Sequence, residues 1–273
     1  MSGITIDGLR WEVRSRGHGA PLLLLHGFTG RATSWEPHTS AFAQRFCVIT
    51  PDLPGHGRSG TPADPARARV ERTAGDLASI LEREGWRPAH VLGYSLGARI
   101  ALRLAIDHQD AVRSLVLESP SAGLATAAER RDRRAADEAR AVALERDGID
   151  AFVDAWEREP VFASQVALPR ATAARLRQTR LRNRPAGLAA SLRGAGQGAM
   201  EPLFDGLSDV AAPTLVITGA LDSTGRSRAE VVATGIPGAR LEVIAAAGHA
   251  PHIETPTDFR SRVLAFLQED SAA

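Results

Sequence analysis

Lysine is absent from this chain of 273 residues, and cysteine and tyrosine occur once each. A single cysteine excludes an internal disulfide. Cys47 lies in the apolar run of residues 46–49, so we expect it to be a buried strand residue. All 33 basic residues are arginines. Because arginine is better suited than lysine to bidentate recognition of carboxylates, individual arginines are candidates for ligand-binding residues.

Long apolar runs are also missing. No stretch approaches the length that spans a membrane, and the N-terminus lacks the charged segment and apolar core of a signal peptide. The net charge of +1 provides no overall field that would favour nucleic acid or a membrane surface. We therefore expect a cytoplasmic protein that binds neither of them. The sequence leaves its oligomeric state open.

Apolar runs alternate with amphipathic segments along most of the chain. Residues 4–16 indicate a hairpin around Asp7 and Gly8, and the run at 21–25 is typical of a strand covered on both faces. Further strands are expected at 47–50, 90–94, 113–118, 213–219 and 240–245, and helices at 34–45, 66–84, 96–107, 226–234 and 256–268. This alternation predicts an α/β fold with a mostly parallel central sheet and helices on both faces.

The interval 121–208 interrupts this alternation. It contains no convincing strand and is rich in alanine, arginine and glutamate, which favours several helices. We interpret residues 1–120 and 209–273 as the core and residues 121–208 as an inserted helical cap. Such a cap would cover the carboxyl edge of the sheet, where open α/β folds bind ligands.

The most informative motif is a serine turn at residues 91–97. An apolar strand leads into Gly93-Tyr94-Ser95-Leu96-Gly97, and a helix follows. A serine on a sharp strand-to-helix turn is exposed, and the small residues at 93 and 97 prevent collisions between chain segments. The following helix places free N–H groups beside the hydroxyl.

Serine needs a base, and two later strand ends provide partners for it. His249 follows the last predicted strand, and Asp222 follows the strand before it. The order Ser95, Asp222, His249 is the one expected of a hydrolase triad on a doubly wound sheet. Two structural alternatives exist: Asp222 as a helix N-cap and His249 as a hydrogen-bonded loop residue.

Two backbone N–H groups are candidates for an oxyanion hole. One belongs to Leu96, directly after the serine, and the other to Phe28, after the strand that ends at His26-Gly27. The run of residues 52–59 is interpreted as an architectural turn in which Asp52 and His56 hold loops together.

These motifs resemble the α/β-hydrolase family from end to end. The resemblance rests on His26-Gly27-Phe28, the run 52–59, the serine turn and the late aspartate and histidine. A narrower resemblance is to the 2-succinyl-6-hydroxy-2,4-cyclohexadiene-1-carboxylate (SHCHC) synthases, the pyruvate-releasing lyases of menaquinone biosynthesis. The segments that carry it are residues 93–99, Arg130 with Arg133, Trp156 with residues 159–164, and residues 181–183.

The narrower resemblance implies that Ser95, assisted by His249 and Asp222, is a base. It would remove a proton from the ring of 2-succinyl-5-enolpyruvyl-6-hydroxy-3-cyclohexene-1-carboxylate, which then expels pyruvate. That substrate is a small polycarboxylate, and cations should line its site. The positions that match the family are Arg99, Arg133 and Arg182, with Tyr94 and Trp156 beside them. No cofactor and no metal are implied.

One segment departs from the family pattern. Members often carry a basic-aromatic pair after Asp-Ser, whereas Asp222 is followed here by Ser223, Thr224, Gly225 and Arg226. Arg226 is the basic residue that would substitute, shifted along the chain.

Two other functions fit the same residues. The first is a serine hydrolase of a small acidic ester or of a carbon–carbon bond, with Ser95 forming an acyl-enzyme or activating water. The second is a non-catalytic receptor that uses the cavity of this fold to bind a ligand. An intact set of Ser95, Asp222 and His249 argues against the receptor, which needs none of their chemistry.

Overall fold

The computed structural model describes residues 2–272, and within them eight strands form one sheet. The strands are β1 (Ser2–Ile6), β2 (Leu9–Arg16), β3 (Ala20–Leu25), β4 (Phe46–Pro51), β5 (Ala89–Tyr94), β6 (Val112–Glu118), β7 (Thr214–Gly219) and β8 (Arg240–Ile244). Their order in the sheet is β1-β2-β4-β3-β5-β6-β7-β8. Strand β2 pairs antiparallel with β1 and β4, and every other pair is parallel. This confirms the predicted α/β fold.

Helices cover both faces of the sheet. In chain order they are α1 (Glu36–Phe42), α2 (Val70–Arg83), α3 (Leu96–Asp107), α4 (Ala127–Trp156), α5 (Arg170–Leu181), α6 (Pro185–Ala195), α7 (Ser223–Gly235), α8 (Pro251–Glu254) and α9 (Pro256–Ala272). Leu23 and Leu25 pack with α2, α3 and α7 on one face, while Leu22 and Leu24 pack with α1 and α9 on the other. The continuous leucine run of β3 is explained by this burial on both sides.

The interval between β6 and β7 is helical, as its composition predicts. It contains α4, a 3₁₀ segment (Pro160–Ala167), α5 and α6. Thr126 and Glu129 form a capping box at the start of α4, and a small apolar cluster joins α4 to α6. These helices approach the core closely, because a Cβ atom at Gly187 would overlap the carbonyl oxygen of Gly55. The division into core and cap as separate domains stays a prediction.

Some expectations differ from the structure. Helix α2 begins at Val70 rather than at residue 66, because residues 65–68 form a 3₁₀ turn and Arg69 has an extended ψ of 148°. Helix α7 begins at Ser223 rather than at 226, because Asp222 caps it. The expectation that Cys47 is buried was wrong: it lies on β4 but is only half-buried. Within residues 2–272, no helix combines the length and the apolar character needed to cross a membrane.

Candidate active site

Ser95 occupies a strained turn between β5 and α3. Its φ of 51° and ψ of −104° are unusual for a residue with a side chain. A Cβ atom at Gly93 would overlap the carbonyl oxygen of Gly97, and one at Gly97 would overlap that of Leu25. The backbone N–H of Ser95 donates to the carbonyl oxygen of Glu118 at 2.9 Å. Sheet and helix therefore hold the serine hydroxyl clear of its neighbours.

Ser95, His249 and Asp222 form one hydrogen-bonded chain. His249 Nε2 lies 3.1 Å from Ser95 Oγ, and His249 Nδ1 lies 2.7 Å from Asp222 Oδ2. With a proton on Nδ1, the imidazole can accept the serine proton at Nε2. The structure thus brings together the three residues that the sequence proposes as a triad, and their catalytic role stays a prediction.

Asp222 also caps α7, since its Oδ1 accepts a hydrogen bond from the N–H of Gly225 at 2.8 Å. Burial by itself raises the pKa of Asp222, but the hydrogen bonds from His249 and Gly225 outweigh burial and lower that pKa. The two roles proposed for this residue, cap and partner of His249, are therefore compatible. Each uses a different carboxylate oxygen.

The loop that carries His249 is fixed on both sides. The Glu254 carboxylate accepts from the N–H groups of Gly248 at 2.7 Å and Ala250 at 3.0 Å. Ser119 Oγ donates to the carbonyl oxygen of His249 at 2.8 Å. The imidazole is therefore oriented by its backbone as well as by Asp222.

Two cavities meet at Ser95. They share Ser95, Arg99, Gln197, Arg228 and His249 as lining residues. The aromatic lobe, about 240 Å³, is lined further by Phe28, Leu96, Arg133, Trp156 and Phe162. The hydroxyl lobe, about 340 Å³, is lined further by Ser119, Ser121, Ser164, Ser223 and Thr224. Together they offer space for a small molecule on both sides of the serine.

Phe28 and Leu96, the proposed oxyanion-hole residues, lie beside Ser95 in the aromatic lobe. Leu96 is the first residue of α3, where a backbone N–H has no acceptor within the helix. The Phe28 loop is held by Asn183, whose Nδ2 donates to the carbonyl oxygen of Thr29 at 2.8 Å. Asp52 also braces this region, because its carboxylate accepts from the N–H groups of Ala32 and Arg58.

The aromatic lobe has a defined wall. Trp156 lies edge-on to Phe28, with ring centroids 5.2 Å apart, and Phe162 faces the ring of His249 at 6.1 Å. Tyr94 packs between His249 and His252, with centroid distances of 5.6 and 4.6 Å. Trp156 and Tyr94 thus lie at the cavity, as the resemblance implies. Phe162 is an additional ring there.

Arg99 is buried at the junction of the two lobes, with 7% of its surface exposed. Its Nη1 donates to the carbonyl oxygen of Ala195 at 2.7 Å and contacts Met200 Sδ at 3.4 Å. Burial, followed by the positive charge of Arg133, lowers the pKa of Arg99 to about 9. Among the described residues it forms no ion pair, which suits a cation that binds an anionic ligand.

Arg133 lines the aromatic lobe, but part of its guanidinium already forms hydrogen bonds within the protein. Its Nε donates to Asp137 Oδ1 at 2.9 Å and its Nη1 to Gln197 Oε1 at 3.4 Å. Arg140 lines the same lobe and pairs with Glu159 at 2.8 Å. Arg140 could not be predicted from the sequence, because its position in a long arginine-rich helix gives no distinguishing signal.

The structure does not bring Arg182 to either lobe, and its role in substrate binding stays a prediction. It caps the C-terminus of α5 as an exposed residue and lines neither lobe. The buried arginine of α5 is Arg180, which pairs with Glu157 at 3.0 Å, donates to Gln165 and lies over the ring of Phe162. The spacing of Leu176, Arg180 and Asn183 on one helical face was the signal that could have found it.

Arg226 is also displaced from the site. It pairs with Glu230 at 2.9 Å on the exposed side of α7. Arg228 lines both lobes instead. Both Arg226 and Arg228 are exposed residues of α7, and only Arg228 reaches the cavity wall. The lining of the two lobes therefore favours Arg228 over Arg226 as the basic residue at the site.

Among the residues that the structure describes, no cluster of three or more histidine, cysteine, aspartate or glutamate side chains could hold a metal ion. The groups available for chemistry are thus a serine–histidine–aspartate chain, backbone N–H donors and guanidinium groups.

Comparison with known proteins agrees with this arrangement. A family model described as the α/β-hydrolase fold matches residues 20–256. A Salmonella heidelberg (strain SL476) protein named 2-succinyl-6-hydroxy-2,4-cyclohexadiene-1-carboxylate synthase is 33% identical over 242 residues, 87% of this chain and 90% of its own length. A Bacillus subtilis (strain 168) protein that bears this name provisionally is 36% identical over 263 residues, 96% of each chain.

Solved structures give the same result. The structure of MenH from S. aureus has a TM-score of 0.91 and 33% identity, and the match covers 96% of this chain and 98% of that one. An esterase from Thermogutta terrifontis, solved with malate bound, has a TM-score of 0.84 and 26% identity over 98% of this chain and 97% of its own. This chain belongs to the α/β-hydrolase fold family and, within it, to the 2-succinyl-6-hydroxy-2,4-cyclohexadiene-1-carboxylate synthases.

Proposed function

We propose that the protein eliminates pyruvate from 2-succinyl-5-enolpyruvyl-6-hydroxy-3-cyclohexene-1-carboxylate and so forms SHCHC for menaquinone biosynthesis. The relatives that bear the synthase name support this reaction. The observation that carries it is the position of Arg99, Arg133 and Arg228 around Ser95. A base surrounded by guanidinium groups suits a substrate with several carboxylates.

The reaction follows from the hydrogen-bonded chain. Ser95 Oγ removes a proton from a ring carbon while its own proton passes to His249 Nε2. The electron pair left on the ring forms a carbon–carbon double bond, and the carbon–oxygen bond to the enolpyruvyl group breaks. The departing enolate takes up a proton and leaves as pyruvate. Asp222 stabilises the imidazolium that forms at His249.

Pyruvate release tests the proposal directly. The protein is mixed with the unstable enolpyruvyl precursor, and pyruvate is followed against spontaneous elimination. We expect strong acceleration, which Ser95→Ala should reduce by about 10³-fold or more. A rate equal to the spontaneous one would rule out the lyase.

The serine hydrolase is the second candidate, because the assembled Ser95–His249 pair at 3.1 Å is the arrangement that acyl transfer also needs. Rapid turnover of simple aryl esters and inactivation by serine-directed phosphonates would favour it. A serine that acts as a base should show little of either. The receptor alternative predicts that Ser95→Ala leaves ligand function unaltered, so a large loss of turnover would exclude it.

A further inference from the structure

Neither the sequence motifs nor the family pattern assign a role to Arg228. It lies on α7, two turns after Asp222, and lines both lobes with Ser95, Arg99 and His249. Its charge and that of Arg133 both act on Arg99 and disfavour a further positive charge there. Arg228 therefore reaches the cavity from α7, whereas Arg133 reaches it from α4.

No carboxylate forms a direct ion pair with this guanidinium among the described residues, although the charges of Asp222 and Glu129 act on it. Among the described residues, Arg228 has no hydrogen bond and no ion pair within 4.0 Å, whereas Arg226 on the same helix pairs with Glu230. Arg133 is bound to Asp137 and Arg140 to Glu159. The nearby Asp222 carboxylate is already occupied by His249 and Gly225.

Arg99 also lacks a carboxylate partner, since only a carbonyl oxygen and a thioether accept from it. Two guanidinium groups without a direct carboxylate partner thus line one cavity junction, Arg99 buried and Arg228 at its exposed rim. Such an arrangement costs free energy in the empty protein, because the two positive charges disfavour each other and the burial of Arg99 reduces their screening. A ligand with two negative charges would remove that cost.

We propose that Arg228 and Arg99 form a clamp for a dicarboxylate at the junction of the two lobes, and that Arg228 makes the site select two carboxylates over one. The clamp rests on the proposed function in one respect: it would hold a pair of the substrate's carboxylates while Ser95 faces the ring. Each planar guanidinium can bind one carboxylate through two N–H donors. Gln197 and the hydroxyls of Ser223 and Thr224 line the same space and can accept or donate further hydrogen bonds.

Ligand-induced stabilisation tests the clamp without any turnover. Thermal unfolding is measured at pH 7 with increasing malate or with acetate, while sodium chloride keeps the ionic strength constant. We expect malate to raise the melting temperature of the wild type and acetate to have no effect beyond salt. Arg228→Gln should weaken malate binding at least 10-fold. Arg228→Lys should recover part of the affinity, because it restores charge without the planar fork.

Arg226→Gln is the matched control, since it removes a guanidinium two residues away that faces Glu230. It should bind malate like the wild type. Without ligand, Arg228→Gln should melt close to the wild-type temperature, because the exposed side chain loses both the repulsion from Arg133 and the attraction to Asp222 and Glu129. Equal malate affinity in the wild type and Arg228→Gln, or no malate effect on the wild type, would overturn the clamp.

Turnover distinguishes this inference from the proposed function. With the enolpyruvyl precursor, Arg228→Gln should raise KM at least 10-fold and change kcat less than 3-fold. Pyruvate release without malate binding would refute the clamp and leave the lyase intact. Malate binding that depends on Arg228, without pyruvate release, would refute the lyase and retain the clamp.

Discussion

Asp222 shows how one residue combines a structural and a chemical role. One carboxylate oxygen caps α7 through Gly225 and the other holds His249. Asparagine is as good an N-cap as aspartate, so Asp222→Asn keeps the cap and removes the charge. We expect kcat to fall by about 10³- to 10⁴-fold, because the imidazole loses its orienting partner. Steady-state kinetics of pyruvate release would measure this.

The effect of the same variant on the free energy of unfolding should depend on pH. Because the pKa of Asp222 is lowered in the folded state, its contribution to stability is present above about pH 4, the unfolded value. It disappears as the pH falls through the folded pKa. Urea unfolding should therefore show a stability difference between wild type and Asp222→Asn that shrinks in acid. A constant difference down to pH 3 would contradict the assignment.

Arg180 and Arg182 provide a second comparison of single residues. Arg180 is buried against Glu157, Gln165 and the ring of Phe162, whereas Arg182 is exposed. We expect Arg180→Gln to lower the free energy of unfolding by about 1–3 kcal/mol, the range for losing hydrogen bonds to a charged group. Arg182→Gln should change it by less than about 0.5 kcal/mol, as exposed substitutions do. Denaturant titration would measure both values.

At the scale of elements, the His249 loop depends on Glu254. Gly248 and Ala250 donate to different oxygens of Glu254, and Glu254→Gln replaces one of these oxygens by an NH2 donor, so one of the two hydrogen bonds is lost. We expect kcat to fall by about 10-fold with KM nearly unchanged, since a small displacement of a reacting group is costly. Glu269→Gln is the control, because Glu269 pairs with Arg240 on the exposed surface. A proportional rise in KM would mean that Glu254 acts on binding instead.

Several helices and strands could be predicted from the sequence alone. Helix α3 was predicted within its true bounds, residues 96–107, because a serine turn and an apolar stripe mark its start and its face. The parallel strands were evident from their apolar runs. Arg182 and Arg226 line neither lobe, because α5 and α7 each carry several arginines and the packing of neighbouring elements decides which of them reaches the cavity. Arg180 and Arg228 each required the packing of a neighbouring element to be known.

At the scale of the whole molecule, buried histidines connect the loops at the carboxyl edge of the sheet. His26 accepts from the N–H of Leu53 at Nε2 and lies 2.8 Å from the carbonyl oxygen of Gly27 at Nδ1. His56 contacts the carbonyl oxygen of Pro54, and His38 that of His252. An added proton on His26 would face the N–H of Leu53. His26 is therefore held in the neutral form.

Burial lowers the pKa of His26 to about 4 and the pKa values of His38 and His56 to about 3. Unfolded histidine titrates near pH 6.5, so the unfolded chain binds these protons first. Stability is full above that pH and is lost as the pH falls toward the folded pKa values. The three rings together should lower the free energy of unfolding by about 4 kcal/mol for each pH unit of acidification. The total free energy of unfolding of a typical protein is only about 5–15 kcal/mol. Cooperative acid unfolding near pH 5 is the expected result.

His56→Asn isolates one ring of this set. The asparagine amide can replace Nδ1 as the donor to Pro54, and it does not titrate. In a plot of the free energy of unfolding against pH, the slope between about pH 6 and pH 4.5 should therefore decrease by the contribution of about one proton. Equal slopes in His56→Asn and the wild type would mean that His56 is already protonated in the folded protein, which its burial beside His26 and Phe28 opposes.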